Sequence, residues 1–179
     1  MNQQKENYYD VLEQYDYADG EYLEKAVVKY SHLIGLFLIN FSILEHELNL
    51  AIADFMFDDC HEIGFVIIEK ATTSNKIELF YKMYIRLESL KDKKNKDVLN
   101  QIKKQLELIN TFRNNIVHAN WESLTKEGFV RTKIIVDNQE GYVKFKKVQI
   151  TPKIIRQKIK EIKKLINQID EYKETAFQV

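Results

Sequence analysis

Apolar residues recur at alternating spacings of three and four between Leu99 and Ile116, the period of an α-helix with one buried face. The stripe consists of Leu99, Ile102, Leu106, Ile109 and Ile116. Position 113, where the period places another apolar residue, holds an arginine. A guanidinium in an apolar stripe needs an anion, a polar partner or trapped water. The stripe therefore predicts a bundle helix with a purpose beyond packing at Arg113.

A longer helical pattern runs from Tyr22 to about Asp58 and is apolar nearly all round in its middle. This predicts burial on several sides, as at the centre of a bundle or at a dimer contact. Two more helices are predicted. The first runs from Glu62 to Lys70, and the second begins at Ser74 as its N-cap and continues through Leu90.

Strict alternation of apolar and polar residues replaces the helical period after the arginine-bearing helix. It predicts a β-hairpin insertion over residues 122–150, with a turn at Asp137–Gly141. Its candidate contacts for a polyanion are Lys133, Lys144, Lys146 and Lys147. Thr151 then caps a last helix, with Pro152 at its first position, which runs to about Tyr172. The predicted fold class is mainly α.

Composition predicts one soluble domain over residues 1–179, because the chain is 45% hydrophobic and long enough for a single core. Lys plus Arg and Asp plus Glu balance at 27 each, so the whole chain has no long-range attraction to nucleic acid or membrane. The balance conceals an acidic, tyrosine-rich lead-in over residues 1–20 and a basic C-terminal third. The lead-in is either a solvated segment or a shield for a basic groove.

The single cysteine, Cys60, excludes an internal disulfide, and no charged-then-apolar leader begins the sequence. The longest apolar run, Leu33–Leu44, is shorter than the roughly 20 residues that cross a bilayer. We therefore expect a cytoplasmic protein without membrane contact. Asp58, Asp59, Cys60 and His61 lack a second ligand set, which favours a loop with solvated His61 over a metal site, so no metal or cofactor is predicted.

Candidate chemistry gathers around Arg113. His118 lies five residues further on, about 140° around a regular helix, whereas Asn114 and His118 share one face. A symmetric dimer is the simplest way to bring both flanks to one cleft. On the long helix, Glu45 and Asn49 share a face from which a carboxylate can orient an arginine or histidine. The alternative is that Glu45 faces solvent.

The hexad Arg113-Asn114-Asn115-Ile116-Val117-His118 resembles the Arg-Asn-x-x-x-His signature of the HEPN superfamily. These are small all-helical proteins that include metal-independent ribonucleases of toxin, phage-defence and CRISPR systems. The succession of long helices around the hexad is similar to that family over most of the chain. The toxin branch has a tyrosine two residues after the histidine, where this chain has Asn120, so regulation through that tyrosine is in doubt.

The resemblance implies an up-and-down helical bundle and a homodimer whose hexads meet in one cleft. It implies that His118 acts as general acid or base at a ribose 2′-hydroxyl, that Arg113 holds the scissile phosphate and that Asn114 orients them. RNA is the implied substrate, and an antitoxin or defence protein is a possible partner. Two alternatives remain open: an ion pair of Arg113 with Glu45 beside a helix-capping His118, and a non-catalytic dimeric module that holds a nucleotide or protein.

Overall fold

The structure is a computed structural model that describes residues 7–9, 20–56, 61–90, 95–118, 123–125, 128–136 and 143–176. Its described part contains five helices, which confirms a mainly α chain. They are α1 (Gly20–Met56), α2 (His61–Ile68), α3 (Thr73–Ser89), α4 (Lys96–Val117) and α5 (Pro152–Ala176).

Four strands form one antiparallel sheet in the order β1-β4-β3-β2. They are β1 (Asn7–Tyr9), β2 (Ser123–Thr125), β3 (Gly128–Val136) and β4 (Val143–Ile150). A two-stranded hairpin insertion is not supported in that form, because β4 also pairs with β1 from near the N-terminus and β3 also pairs with β2. The two added strands have three residues each, too few to give an alternating signal. The predicted turn at Asp137–Gly141 lies outside the described residues.

The chain divides into two compact units. The first combines Met1–Phe37 with Asn115–Gln157, and the second combines Leu38–Asn114 with Lys158–Val179. Whether the chain acts as a single domain stays a prediction. The acidic lead-in lies outside the described residues except for β1 and Gly20.

The core of the second unit is built from four helices whose apolar stripes are all buried. Phe41, Leu44, Leu48 and Ile52 come from α1, Ile77, Phe80 and Tyr84 from α3, Leu99, Ile102, Leu106 and Ile109 from α4, and Ile162, Leu165 and Ile169 from α5. The stripe predicted for α4 is therefore confirmed, including Ile116, which is buried in the first unit. In that unit the buried Tyr30 hydroxyl donates to the Ile150 carbonyl at 2.7 Å.

Of the two N-cap predictions, the one for α5 is right and the one for α3 names the wrong residue. The backbone N–H of Ile154 donates to Thr151 Oγ1 at 3.3 Å, which confirms the cap of α5. The cap of α3 is Thr72, whose Oγ1 accepts from the Asn75 N–H, so the prediction of Ser74 is wrong. Ser74 Oγ instead accepts a hydrogen bond from Asn110 Nδ2 at 3.0 Å.

Helix α1 includes the segment Glu24–Met56, which is long and apolar enough to span a membrane by length and composition. A core helix of a soluble protein meets the same criteria. A cytoplasmic location without membrane contact therefore stays a prediction.

Candidate functional site

The Arg113 side chain is positioned by two uncharged groups. Arg113 lies one turn before the end of α4, and its Nη1 donates to Asn114 Oδ1 at 3.1 Å. Its guanidinium carbon lies 5.7 Å from the centre of the buried Phe41 ring on α1, within the range of a cation–π contact. The aromatic face and the amide together fix the direction of the guanidinium.

Arg113 Nε is buried and has no hydrogen-bond partner among the residues that the structure describes. Within the part of the chain that the structure describes, no carboxylate forms an ion pair with Arg113. An unsatisfied buried N–H on a charged group is destabilising. The arginine predicted from the gap in the apolar stripe is therefore a partly buried cation to which none of the described residues supplies a carboxylate.

His118 is the first residue after α4 and is exposed to solvent. Asn114, four residues earlier, is exposed as well. Arg113 and Asn114 belong to the second unit and His118 to the first.

Glu45 is bound on its own subunit by α3. Its Oε1 accepts from Thr73 Oγ1 at 3.0 Å and from the Nζ of the buried Lys76 at 3.3 Å. Within this subunit Glu45 therefore pairs with Lys76 and not with Arg113. That Glu45 orients an arginine or histidine of another helix stays a prediction. Asn49, one turn further on, has a buried Oδ1 without a hydrogen-bond partner.

The four predicted RNA-binding lysines lie along the β3–β4 pair. Lys133 and Lys146 are Cα partners across the two strands, Lys144 is paired with Ile135, and Lys147 with Thr132. The backbone thus brings all four positions to one stretch of the sheet.

Phe41 and Asn110 are two site residues that sequence reasoning missed. Phe41 looks like any other buried residue of α1, and only its contact with the guanidinium distinguishes it. Asn110 is buried three residues before Arg113 and joins α4 to the start of α3 through Ser74. A polar residue beside an apolar stripe is the signal that could have revealed it.

Asp54, near the end of α1, contacts two basic side chains. Asp54 Oδ1 lies 2.7 Å from His61 Nε2, and its Oδ2 lies 2.7 Å from Lys173 Nζ. His61, expected to be solvated, is exposed but has this partner. Asp58, Asp59 and Cys60 lie outside the described residues. In the ranges that are described, no group of three or more His, Cys, Asp or Glu residues is placed to hold a metal ion.

Comparison with known proteins finds no family model, no curated protein and no solved structure that matches this chain.

Proposed function

We propose that this chain is a metal-independent endoribonuclease of the HEPN type. It acts as a homodimeric helical bundle, with a site formed by Arg113, Asn114 and His118 where two subunits meet. The observation that carries the proposal is the guanidinium of Arg113, which is partly buried and which, among the described residues, has no partner for its Nε and contacts an amide and an aromatic ring but no carboxylate. Such a cation lacks the anion that its environment favours.

A phosphodiester supplies that anion. Arginine binds phosphate oxygens through two parallel N–H donors and stabilises the charge that develops as the phosphate is attacked. The ribose 2′-hydroxyl adjoins the scissile phosphate, so RNA carries its own nucleophile. A site that provides a phosphate-binding cation and a proton acceptor is sufficient for cleavage of RNA, whereas DNA lacks the attacking group.

In the proposed reaction His118 removes the proton from the 2′-hydroxyl, since an imidazole titrates near neutral pH. The 2′-oxygen forms a bond to phosphorus while the bond from phosphorus to the 5′-oxygen breaks. The departing 5′-oxygen takes a proton from water, and the protonated His118 afterwards returns its proton to the solvent. The products are a 2′,3′-cyclic phosphate and a 5′-hydroxyl, and Asn114 keeps the guanidinium of Arg113 in place throughout.

Lys133, Lys144, Lys146 and Lys147 are the proposed contacts with the RNA backbone outside the cleavage site, where positive charge attracts phosphates without reading sequence. Glu45 and Asn49 are proposed as supporting residues. We further propose a cytoplasmic role in a toxin–antitoxin or phage-defence system, in which a partner protein inhibits the ribonuclease.

The test is cleavage of end-labelled tRNA and mRNA at neutral pH with a chelator present. We expect the wild type to cut RNA and to leave a 2′,3′-cyclic phosphate. His118→Ala should lower the rate by about 10²-fold to 10⁴-fold, the usual contribution of a general acid or base. His61→Ala, which removes an exposed histidine outside the hexad, is the matched control and should cleave at the wild-type rate.

Intact RNA after incubation with the wild type would contradict the proposal and favour the non-catalytic binding module. Equal cleavage by His118→Ala and the wild type would contradict the assignment of the base. Circular dichroism of each variant establishes that a loss of cleavage is not a loss of fold.

A further inference from the structure

The first turn of α3 is joined by side-chain hydrogen bonds to two different helices. Thr73 Oγ1 donates to Glu45 Oε1 on α1 at 3.0 Å. The next residue, Ser74, accepts through its Oγ a hydrogen bond from Asn110 Nδ2 on α4 at 3.0 Å. These four residues all belong to the second unit. Adjacent residues at the start of α3 therefore bind α1 and α4, respectively.

The same two helices hold the guanidinium of Arg113. Arg113 belongs to α4, and the Phe41 ring, whose centre lies 5.7 Å from the guanidinium carbon, belongs to α1. Asn110 precedes Arg113 by three residues, and Glu45 follows Phe41 by four. Residues at these spacings are neighbours one turn apart on a helix. The start of α3 thus links α1 and α4 one turn from the contact between the guanidinium and the ring.

The polar groups at the start of α3 lie in an otherwise apolar core. The described core has four buried residues with a charged or amide side chain, and Lys76 and Asn110 are two of them. Buried hydrogen-bonded pairs add little net stability, since apolar groups of the same shape can replace both partners at almost no cost. They do impose a direction, because donor and acceptor meet only in a narrow range of distances and angles. These groups therefore favour one alignment of α1, α3 and α4.

Helices α3 and α4 are also joined far from Arg113. Tyr81 Oη donates to Asn100 Oδ1 at 2.9 Å, and this bond is exposed, whereas the bond between Ser74 and Asn110 is partly buried. Asn100 precedes Arg113 by 13 residues, which is more than three helical turns. The two helices thus have a hydrogen bond beside the candidate site and another at a distance from it.

We propose that Thr73 and Ser74 are positioning residues for Arg113. Through their hydrogen bonds to α1 and α4, they set the separation of these helices at which the Phe41 ring supports the guanidinium. They also set the direction in which its donors point. Neither residue touches the substrate in this role, and each acts through Arg113. The inference rests on the proposed function in that a phosphate is what the positioned guanidinium binds.

The position of the guanidinium matters because it acts on a developing charge. Arginine stabilises that charge only when its donors face the phosphate oxygens. A misplacement of about 1 Å can lower a rate about 10²-fold. Among the described residues, the contacts that orient Arg113 are Asn114 and the Phe41 ring. A small shift of α1 against α4 therefore redirects the guanidinium without unfolding the chain.

The experiment compares Ser74→Ala and Thr73→Val with Tyr81→Phe. Each variant loses one hydroxyl and, with it, one hydrogen bond from α3 to another helix. Tyr81→Phe is the matched control, because its bond lies far from Arg113. Thr72 remains the N-cap of α3 in all three variants, so helicity measured by circular dichroism should not change.

The first measurement is the rate of hydrogen exchange at Arg113 Nε–H by NMR, which requires no RNA. The Nε atom is buried, so exchange is slow while the guanidinium is held in place. The chain has four arginines, and the Arg113 signal is the one that is lost in Arg113→Met. Exchange should rise about 2-fold to 10-fold in Ser74→Ala and Thr73→Val, the range that one hydrogen bond controls. Tyr81→Phe should exchange at the wild-type rate.

The second measurement is RNA cleavage by the same samples. Ser74→Ala should lower kcat about 10-fold or more and leave KM almost unchanged, because the guanidinium acts mainly on the transition state. Ser74→Thr keeps a hydroxyl at this position. It should therefore restore both the wild-type kcat and the slow exchange at Arg113.

Wild-type exchange in both Ser74→Ala and Thr73→Val would overturn the inference. An equal rise in Tyr81→Phe would overturn it too, because it would indicate a general loosening of α3. In a wild type that cuts RNA, faster exchange with an unchanged kcat would also overturn it.

The two measurements separate this inference from the proposed function. If the wild type leaves RNA intact but Ser74→Ala and not Tyr81→Phe speeds exchange at Arg113, the proposed function fails and the positioning of Arg113 stands. If the wild type cuts RNA and neither Ser74→Ala nor Thr73→Val changes the exchange rate, the inference fails and the proposed function stands.

Discussion

Replacing Arg113 with methionine should remove RNA cleavage and leave the stability of the fold almost unchanged. Methionine fills the gap in the apolar stripe of α4 with an unbranched side chain and no donor. If Arg113 is present to bind phosphate, the fold does not need it. If Arg113 is a structural cation, its loss should be costly.

The contacts of Arg113 give the size of the expected effect. Removing the buried, unpartnered Nε relieves a penalty of about 1–3 kcal/mol. The variant also loses the hydrogen bond to Asn114, about 0.5–1.5 kcal/mol, and the cation–π contact with Phe41, about 0.5–1 kcal/mol. The two losses together are about 1–2.5 kcal/mol against a relief of about 1–3 kcal/mol, so the midpoints nearly cancel and the free energy of unfolding should change by less than about 2 kcal/mol.

Lys76→Met is the matched control, because it also replaces a positively charged side chain of the second unit with methionine. Lys76 is buried and pairs with Glu45, whose side chain is partly exposed. Loss of one partner of a fully buried pair costs about 3–5 kcal/mol, and the exposure of Glu45 lowers this to about 2 kcal/mol. Urea unfolding followed by circular dichroism measures both variants, and the RNA assay is run on the same samples.

Two results would refute the reasoning about Arg113. A loss of 3–5 kcal/mol in Arg113→Met, the range for a broken buried ion pair, would make Arg113 a structural residue. Cleavage of RNA by Arg113→Met at the wild-type rate would remove it from the site.

Three further predictions concern the stability of the second unit. Gly64→Ala should lower the urea midpoint, because the new Cβ would lie 2.7 Å from the Ala53 Cβ and 2.8 Å from its Cα, and overpacking of about 1–3 kcal/mol exceeds the gain of about 0.5–1 kcal/mol from helix propensity. An unchanged midpoint would contradict this packing. Burial, followed by the hydrogen bond to Glu88, raises the pKa of Tyr172. Folded Tyr172 therefore stays protonated after the unfolded tyrosine ionises, so stability should fall above a pH of about 10 by up to roughly 1.4 kcal/mol per pH unit. Thermal melts of Tyr172→Phe should show a shallower fall, and identical slopes would count against it. Glu88→Gln should lower the free energy of unfolding, measured with urea, by about 1.5–3 kcal/mol. The Glu88 carboxylate accepts hydrogen bonds from the Tyr172 hydroxyl and from the Asn95 N–H, whereas an amide has one acceptor oxygen. A free energy of unfolding equal to that of the wild type would contradict this role.

The sequence predicts those parts of the fold whose signals are local. The stripe of α4 and the Thr151 cap of α5 depend on residues within a few positions of one another, and both are confirmed. The cap of α3 could not be chosen in this way, because Thr72 and Ser74 are equally suitable side chains. A contact from Asn110 on α4 engages Ser74, and that contact is set by tertiary packing.

The residues of the candidate site also differ in whether their signals are local in the sequence or depend on tertiary contacts. The position of Arg113 follows from a missing apolar residue in a regular pattern, so it could be predicted. The partners of Glu45 could not, because helical spacing places it on a face without telling which helix lies opposite. Phe41 was hidden for another reason: a ring beneath a guanidinium has the same sequence signal as a core phenylalanine.

Arg113 differs from four buried or partly buried lysines in the groups that it contacts. Lys76, Lys103, Lys158 and Lys173 each contact a carboxylate, from Glu45, Glu78, Glu161 and Asp54 respectively. Arg113 is held by an amide and an aromatic ring. A carboxylate would neutralise the guanidinium and occupy its donors, whereas uncharged partners fix its direction and leave its charge available. Among the described residues, carboxylates contact these four lysines and none contacts Arg113, an arrangement that would suit phosphate binding. This contrast is why Arg113→Met and Lys76→Met should differ.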